Sequence, residues 1–216
     1  MSDLLEFLSP GLRPLGEPAA PDPAALLAAA SALLVVDLEM SGPDPKQHEV
    51  LEAGCVRATL AEGLPEESSW GERVRPLHIG NANPGALKVV NYSPKRWRDA
   101  IDLAAAVTRL AELGPGAVIT GWGISGDLRF LAEIFSRHSV EWPFAAVALD
   151  VQPIARKLLA RGADVDHFNL GHVADRLGIG RMGEHSALAD AYATYDVLLA
   201  LLQRAHPSAG SAASSS

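Results

Sequence analysis

The sequence has a single cysteine, Cys55, among its 216 residues. One thiol cannot form an intramolecular disulfide, and it excludes zinc or iron–sulfur sites that need several cysteines. Gly54 and Val56 flank this residue, and the apolar setting predicts a small buried side chain. A chain of this length with 48% hydrophobic residues can build its core without disulfides.

Basic residues are also scarce. Eighteen Lys and Arg stand against 26 Asp and Glu, which gives a formal net charge of −8. The molecule therefore has no net positive field that attracts nucleic acid at long range. An acidic total does not exclude a nucleic-acid enzyme, because carboxylates can bind divalent cations that then face a phosphate.

Long hydrophobic runs are missing as well. The longest, residues 23–36, is shorter than the roughly 20 residues that a membrane span needs. Asp3 and Glu6 lie where a signal peptide carries basic residues. We therefore expect no membrane partner and a cytoplasmic location.

Proline, glycine and small residues set the ends of the chain apart from its middle. Residues 1–22 contain four prolines and two glycines, which predicts an N-terminal arm with neither a helix nor a paired strand. Residues 206–216 are mostly Ser, Ala and Gly and predict a disordered tail. The remaining residues, 23–205, are predicted to form one domain.

Apolar patterning within this domain predicts an α/β fold. Three β-prone segments read as a meander, and helices and strands alternate after it. The predicted strands are 33–39, 50–60, 73–77, 117–120 and 145–149, and the predicted helices are 97–113, 128–135, 151–159, 170–177 and 187–202. We expect a mixed sheet flanked by helices, with an antiparallel half followed by parallel strands.

Asp37 and Glu39 end the first apolar strand. Their spacing of two places both carboxylates on one face of the sheet. Adjacent ionised acids at the edge of a core repel each other, so a bound cation is one explanation. The alternative is a strand end that emerges into solvent.

Two later segments also carry acids near predicted helix starts. Asp127 follows a strand and a glycine-rich turn, where α/β proteins gather ligands, but helix capping explains it equally well. His185 and Asp190 flank the start of the last helix, so both can reach a common point above the sheet. A capping pair with an exposed histidine is the alternative there.

Together these segments resemble the ordered motifs of the DnaQ-like 3′→5′ exonuclease superfamily, the DEDD nucleases of the His-containing subtype. Residues 37–42 are similar to the first motif, and 49–54 to the strand that follows it. Residues 127–131 resemble the second motif, and 185–191 the third. The resemblance covers residues 33–202 and implies a ribonuclease H-like architecture.

The resemblance also implies a catalytic set. Asp37 would bridge two divalent ions, Mg²⁺ or Mn²⁺, while Glu39 and Asp190 would complete the ion site that activates water. Asp127 would hold the second ion, next to the leaving group. His185 would accept the proton of the attacking water, since an imidazole pKa of about 6.5 suits a general base.

Residues near the first motif and beyond the meander are candidates for substrate binding. In the family, the corner at Met40 and Ser41 approaches the terminal nucleotide, although Met40 as core filler is an equal alternative. The stretch with Lys88, Asn91 and Tyr92 resembles one that lies near the substrate's 3′ end. Tyr92 could stack on a base, whereas packing is the favoured role of Trp97.

Four basic residues cluster there, and they either follow a phosphate backbone or form a solvated helix face. The four are Lys88, Lys95, Arg96 and Arg98.

The predicted function is metal-dependent 3′→5′ exonuclease action on single-stranded DNA or RNA 3′ ends or short oligonucleotides. One alternative is an oligoribonuclease-like enzyme restricted to very short RNA, which residues 122–127 resemble. Another is a non-catalytic module on the same fold that binds nucleic acid or a polymerase partner. A homodimer is compatible with the sequence, which does not identify protein partners.

Overall fold

A mixed sheet of six strands organises the computed structural model, which describes residues 2–15, 22–159, 168–180 and 186–206. The strands are β1 Leu12–Pro14, β2 Ala32–Met40, β3 Val50–Thr59, β4 Glu66–Arg73, β5 Ala117–Gly121 and β6 Val147–Asp150. Their spatial order is β1-β6-β5-β2-β3-β4. Strands β2, β3 and β4 form an antiparallel meander, β5 and β6 run parallel to β2, and β1 pairs antiparallel with β6.

Helices cover both faces of the sheet. They are α1 Ser2–Leu8, α2 Pro23–Ala29, α3 Pro84–Val89, α4 Leu103–Leu113, α5 Ser125–Arg137, α6 Val151–Leu159, α7 Leu170–Leu177 and α8 Ala187–Ala205. Because β2 alternates, Val35 packs beneath α8 with Ala191 and Tyr195, whereas Leu34 points to the other face, in one core with Val107 of α4 and Phe130 of α5. We call these the α8 face and the α5 face.

The predicted mixed sheet flanked by helices is confirmed, but several bounds differ, most of all those of one strand and one helix. The third strand is Glu66–Arg73 rather than 73–77, and Val74 forms only an isolated bridge with Ile101. An edge strand with solvent on one side needs few apolar residues, so its sequence lacks a strand signal. The helix predicted from residue 97 begins at Leu103.

The N-terminal segment differs more from its prediction. It contains α1 and β1, so the expectation of neither a helix nor a paired strand there is wrong. Leu4, Phe7 and Leu8 are buried in the core that also contains Val147 and Leu149 of β6. This tertiary packing supplies what the local pattern lacks.

The predicted division into arm, domain and tail stays a prediction. Of the predicted tail, only His206 belongs to the described residues. Among the helices of the described ranges, none is long and apolar enough to cross a lipid bilayer.

Candidate active site

Three acids converge where β2 ends and α8 begins. Asp37 and Glu39 project from the α8 face of β2, and Asp190 lies in the first turn of α8. Each offers a carboxylate oxygen, and these oxygens all lie within 4.8 Å of one another. The half-buried cluster has the spacing and donor chemistry of a site for a hard divalent cation.

Asp127 approaches the cluster from α5, but it is not among the three acids whose carboxylate oxygens lie within 4.8 Å of one another. It lies in the first turn of that helix, and the helix N-cap is Ile124 rather than Asp127. Its Oδ1 atom accepts a hydrogen bond from the backbone N–H of Leu38, 3.0 Å away and between the two acids of β2. Asp127 is thus fastened to the strand that carries the other acids.

The carboxylates of the cluster raise one another's pKa values. Burial raises the pKa of Asp37 well above its usual range, and the charges of Asp127, Glu39, Asp190 and Glu52 raise it further. Burial, with the charges of Asp190, Glu52 and Asp127, raises the pKa of Glu39 to about 7. A bound cation would favour the ionised carboxylates, so these residues fit a divalent metal.

Burial also raises the pKa of Asp127, to about 6, although its hydrogen bond from Leu38 opposes the increase. Buried Asp150 adds a smaller increase through its charge.

Two glycines allow α8 to approach the sheet closely enough to deliver Asp190. A Cβ atom on Gly54 of β3 would overlap the backbone of Ala187 and Leu188. A Cβ atom on Gly71 of β4 would come within 2.6 Å of the Leu188 Cβ atom. Gly54 and Gly71 are directly opposite each other in the β3–β4 register, so together they leave room on the sheet for the first turn of α8.

Ser186 is the N-cap of α8, and its side chain accepts a hydrogen bond from the backbone N–H of Ala189. The capping alternative for this segment is therefore real, but it involves Ser186 and leaves Asp190 facing the cluster. His185 lies outside the described residues, so its role as a base stays a prediction.

Sequence reasoning missed Glu52, which is 5% exposed and lies opposite Glu39 in the β2–β3 register. Its carboxylate accepts hydrogen bonds from the Nε atom of Arg73, at 3.2 Å, and from the backbone N–H of Ala187, at 3.4 Å. Glu52 therefore links β3, β4 and the start of α8. An acid two residues before Gly54, on an otherwise apolar face, was the available signal.

Asp150 was also missed. It ends β6 and is 2% exposed. Its Oδ1 atom accepts hydrogen bonds from the backbone N–H groups of Gly123 and Gln152, and its Oδ2 atom accepts two from Arg13 of β1. Because Gly123 lies in the turn before α5, Asp150 fixes the approach of the helix that carries Asp127.

Met40 and Ser41 continue β2 beyond the acids. Met40 packs against the core of the α5 face, with its Cε atom near Gly126. Ser41 is buried, and its hydroxyl oxygen accepts a hydrogen bond from the Glu49 backbone N–H. These contacts fix the corner, and the substrate role of both residues stays a prediction.

Lys88, Asn91 and Tyr92 lie in and just after α3. Lys88 and Asn91 are exposed, and Asn91 has a left-handed backbone with φ of 50°. Tyr92 packs on Trp97 with ring centroids 4.9 Å apart. Trp97 is buried and its indole N–H donates to the Leu51 carbonyl, which confirms its packing role. Substrate binding by the other three stays a prediction.

A cleft of about 590 Å³ opens beside Asp37 and Asp190. Trp122 and the beginning of α7 form its other walls, with Asn169 and His172 among the lining residues. This volume is typical of sites that bind small molecules, about 300 to 1,000 Å³. The acids thus face a space that can admit a ligand.

The RNase_T family model, described as exonuclease, matches residues 34–198. The chain belongs to this exonuclease family. The match covers the sheet from β2 onward and all four acids, and the resemblance to DnaQ-like exonucleases is thereby confirmed.

Two known proteins show how far this similarity extends. A Mycobacterium tuberculosis protein described as a bifunctional exonuclease/endonuclease is 25% identical over 177 residues, which are 79% of this chain and 26% of that protein. Exonuclease I matches with a TM-score of 0.69 and 21% identity over 82% of this chain and 42% of the other.

The E. coli exonuclease I complex with a dT13 oligonucleotide matches with a TM-score of 0.67, 22% identity, and 81% and 41% coverage. At these identities, the structural matches establish the fold of this exonuclease domain. The chain spans about a quarter of the mycobacterial protein and about two fifths of exonuclease I.

Proposed function

We propose that this domain is a metal-dependent 3′→5′ exonuclease that hydrolyses single-stranded nucleic acid or short oligonucleotides. The observation that carries the proposal is the convergence of Asp37, Glu39 and Asp190, with carboxylate oxygens within 4.8 Å of one another. Membership of the exonuclease family supports it. The oligonucleotide bound to E. coli exonuclease I supports single-stranded DNA as one substrate class.

The four acids would hold two divalent ions, Mg²⁺ or Mn²⁺, since their ligand atoms are all hard carboxylate oxygens. When bound, such ions neutralise charge on the phosphate and lower the pKa of the attacking water. Asp127 is held by the Leu38 N–H and Asp190 by the close seating of α8, so the ligands are positioned before substrate arrives.

His185 would accept the proton of the attacking water as its oxygen bonds to phosphorus. The bond from phosphorus to the 3′ oxygen would break, that oxygen would take up a proton to become the new 3′ hydroxyl, and the released product would be a nucleoside 5′-monophosphate. Met40, Ser41, Lys88, Asn91 and Tyr92 would contact the terminal nucleotides. The cytoplasm stays the expected location of this activity.

Digestion of 5′-labelled DNA and RNA oligomers of several lengths, with Mn²⁺ or EDTA, tests the proposal. We expect a metal-dependent ladder that shortens from the 3′ end and is blocked by a 3′-phosphate. Unimpeded cleavage of the blocked strand would contradict the polarity. Digestion of only the shortest RNA would indicate the oligoribonuclease alternative, and binding without cleavage would indicate a non-catalytic module.

A further inference from the structure

A row of charged side chains crosses three neighbouring strands at the acidic cluster. The register places Glu39 of β2 opposite Glu52 of β3, and Glu52 opposite Arg73 of β4. Directly opposed residues project to the same face, so all three lie on the α8 face. Arg73 is therefore two strand spacings, about 10 Å, from Glu39 at the edge of the sheet.

The Arg73 guanidinium is held in place. Its Nε atom donates to Glu52 at 3.2 Å, its Nη1 atom donates to the Arg96 carbonyl at 3.2 Å, and its Cζ atom lies 5.2 Å from the centre of a Trp97 ring. The side chain is 42% exposed. Within the described ranges, Nη2 makes no hydrogen bond, so it can donate to a ligand.

A second guanidinium converges on the same ring. The Cζ atom of Arg96 lies 5.8 Å from the Trp97 ring centre. In the described part of the chain, the Arg96 side chain donates to the carbonyl groups of Val90 and Asn91, which are neutral. In the described ranges, Arg73 is paired with one carboxylate, Glu52, and Arg96 donates only to neutral carbonyl groups, so the two guanidinium groups at this ring can bind an anion.

We propose that Arg73 and Arg96 form a site for a backbone phosphate of a nucleic-acid strand whose 3′ end lies at the acidic cluster. The inference rests on the proposed function and adds a second point of contact to it. Two guanidinium groups on a rigid aromatic support suit a phosphate, which accepts several hydrogen bonds from planar donors. The site would hold the strand while its terminal nucleotide is removed.

The test measures binding apart from hydrolysis. The dissociation constant of a fluorescein-labelled single-stranded oligothymidylate is measured by anisotropy in EDTA over a series of salt concentrations. We expect Arg73→Gln and Arg96→Gln each to weaken binding about five- to tenfold. Each should also lower the slope of log K against log salt by about 0.7, the value for one phosphate contact on a single strand.

Arg109→Gln is the matched control. This variant also loses one positive charge and one ion pair, that of Arg109 with Glu112, but on the opposite face of the sheet. Arg73→Lys should keep the salt slope, since it keeps the charge, and melting temperatures report whether each variant is folded. If folded Arg73→Gln and Arg96→Gln proteins bind with the affinity and slope of Arg109→Gln, the phosphate site does not exist. A purely structural role of Arg73 gives the same unchanged slope.

Failure of the proposed function is distinguishable. Hydrolysis of the p-nitrophenyl ester of thymidine 5′-monophosphate by the wild-type protein with Mn²⁺ tests the chemistry on a substrate with one phosphate. If that ester and the oligomers are untouched, the proposed exonuclease function is wrong, whatever the anisotropy shows.

Discussion

Asp37 lies closest to the centre of the negative charge of the site, because four other carboxylates raise its pKa. Its pKa is raised by burial and by four neighbouring carboxylates, so its ionised form strains the metal-free protein. We expect metal-free Asp37→Asn to be at least as stable as wild type. It should lose cleavage and most of the rise in melting temperature that Mn²⁺ produces.

A cation at a hundredfold excess over its Kd stabilises the folded state by about 2.7 kcal/mol. Calorimetry with EDTA and with Mn²⁺ measures this shift, and Asp99→Asn, an exposed acid paired with Arg98, is the control. A wild-type melting temperature indifferent to Mn²⁺ would mean that the acids do not form one metal site.

The raised carboxyl pKa values also predict how stability depends on pH. Glu39 has a pKa of about 7 and Asp127 of about 6 in the fold, against about 4 in an unfolded chain. Between these values the folded state holds more protons than the unfolded state, so stability falls as pH rises. In EDTA we expect a higher melting temperature near pH 5 than near pH 7.5.

Glu39→Gln tests this contribution, because it removes one titrating group and also one of the charges that raise the pKa of Asp37. The variant should show a smaller drop between the two pH values, and Mn²⁺ should reduce the drop in wild type. Equal drops in wild type and Glu39→Gln would contradict the raised pKa of Glu39.

At the residue scale, the sequence predicts the acids of the site better than it predicts the residues that hold them in place. Asp37, Glu39, Asp127 and Asp190 lie at strand ends and helix starts, where position alone suggests a site. Glu52 and Arg73 gain their importance only from cross-strand register, which places Glu52 beside Glu39 and Arg73 beside Glu52. Cross-strand pairs exist only once the strands are assembled, so they leave no pattern in any one segment of the sequence.

Among the elements, α8 has the most demanding placement. Gly54→Ala would push a methyl group into the backbone of Ala187 and Leu188, so the first turn of α8 must move together with Asp190. We expect a loss of about 1 to 3 kcal/mol in the free energy of unfolding and a large loss of cleavage. Urea denaturation and the labelled-oligomer assay measure the two effects.

Gly80→Ala is the matched control, since a Cβ atom on Gly80 meets nothing within 4 Å. If Gly54→Ala kept wild-type stability and cleavage, the close packing of α8 against β3 would not be needed to place Asp190.

Elements with their own apolar periodicity were predicted well. The bounds of α6 and α7 agree with the prediction, as does the meander apart from the position of β4. Residues 97–102 have helical spacing, but 97–99 form a turn and Ile101 forms a bridge with Val74, while the indole N–H of Trp97 donates to the Leu51 carbonyl. Tertiary contacts override local propensity at such places.

On the scale of the whole molecule, Arg13 connects the N-terminal segment to the site. Its ion pair with buried Asp150 measures 2.9 Å, and Asp150 in turn holds the turn before α5. Arg13→Gln leaves that buried carboxylate without its cation. We expect a loss of about 1 to 3 kcal/mol in unfolding free energy, measured by urea denaturation, and weaker Mn²⁺ stabilisation because Asp127 is less firmly placed.

Arg98→Gln serves as the control, because its pair with Asp99 is exposed on both sides and contributes little. If the two variants lose equal stability, the Arg13–Asp150 pair does not connect the segment to the site.

The pairing of β1 with β6 also bears on aggregation. Strand β6 is buried along its whole length, and residues 12–14 take up the hydrogen-bonding groups along its outer edge. Without that cover, an apolar edge would be open to pairing with the same edge of another molecule. Pro14 ends the covering strand with a residue that has no N–H to donate, which discourages a further strand. A short segment with almost no strand signal thus covers an apolar sheet edge that would otherwise favour aggregation.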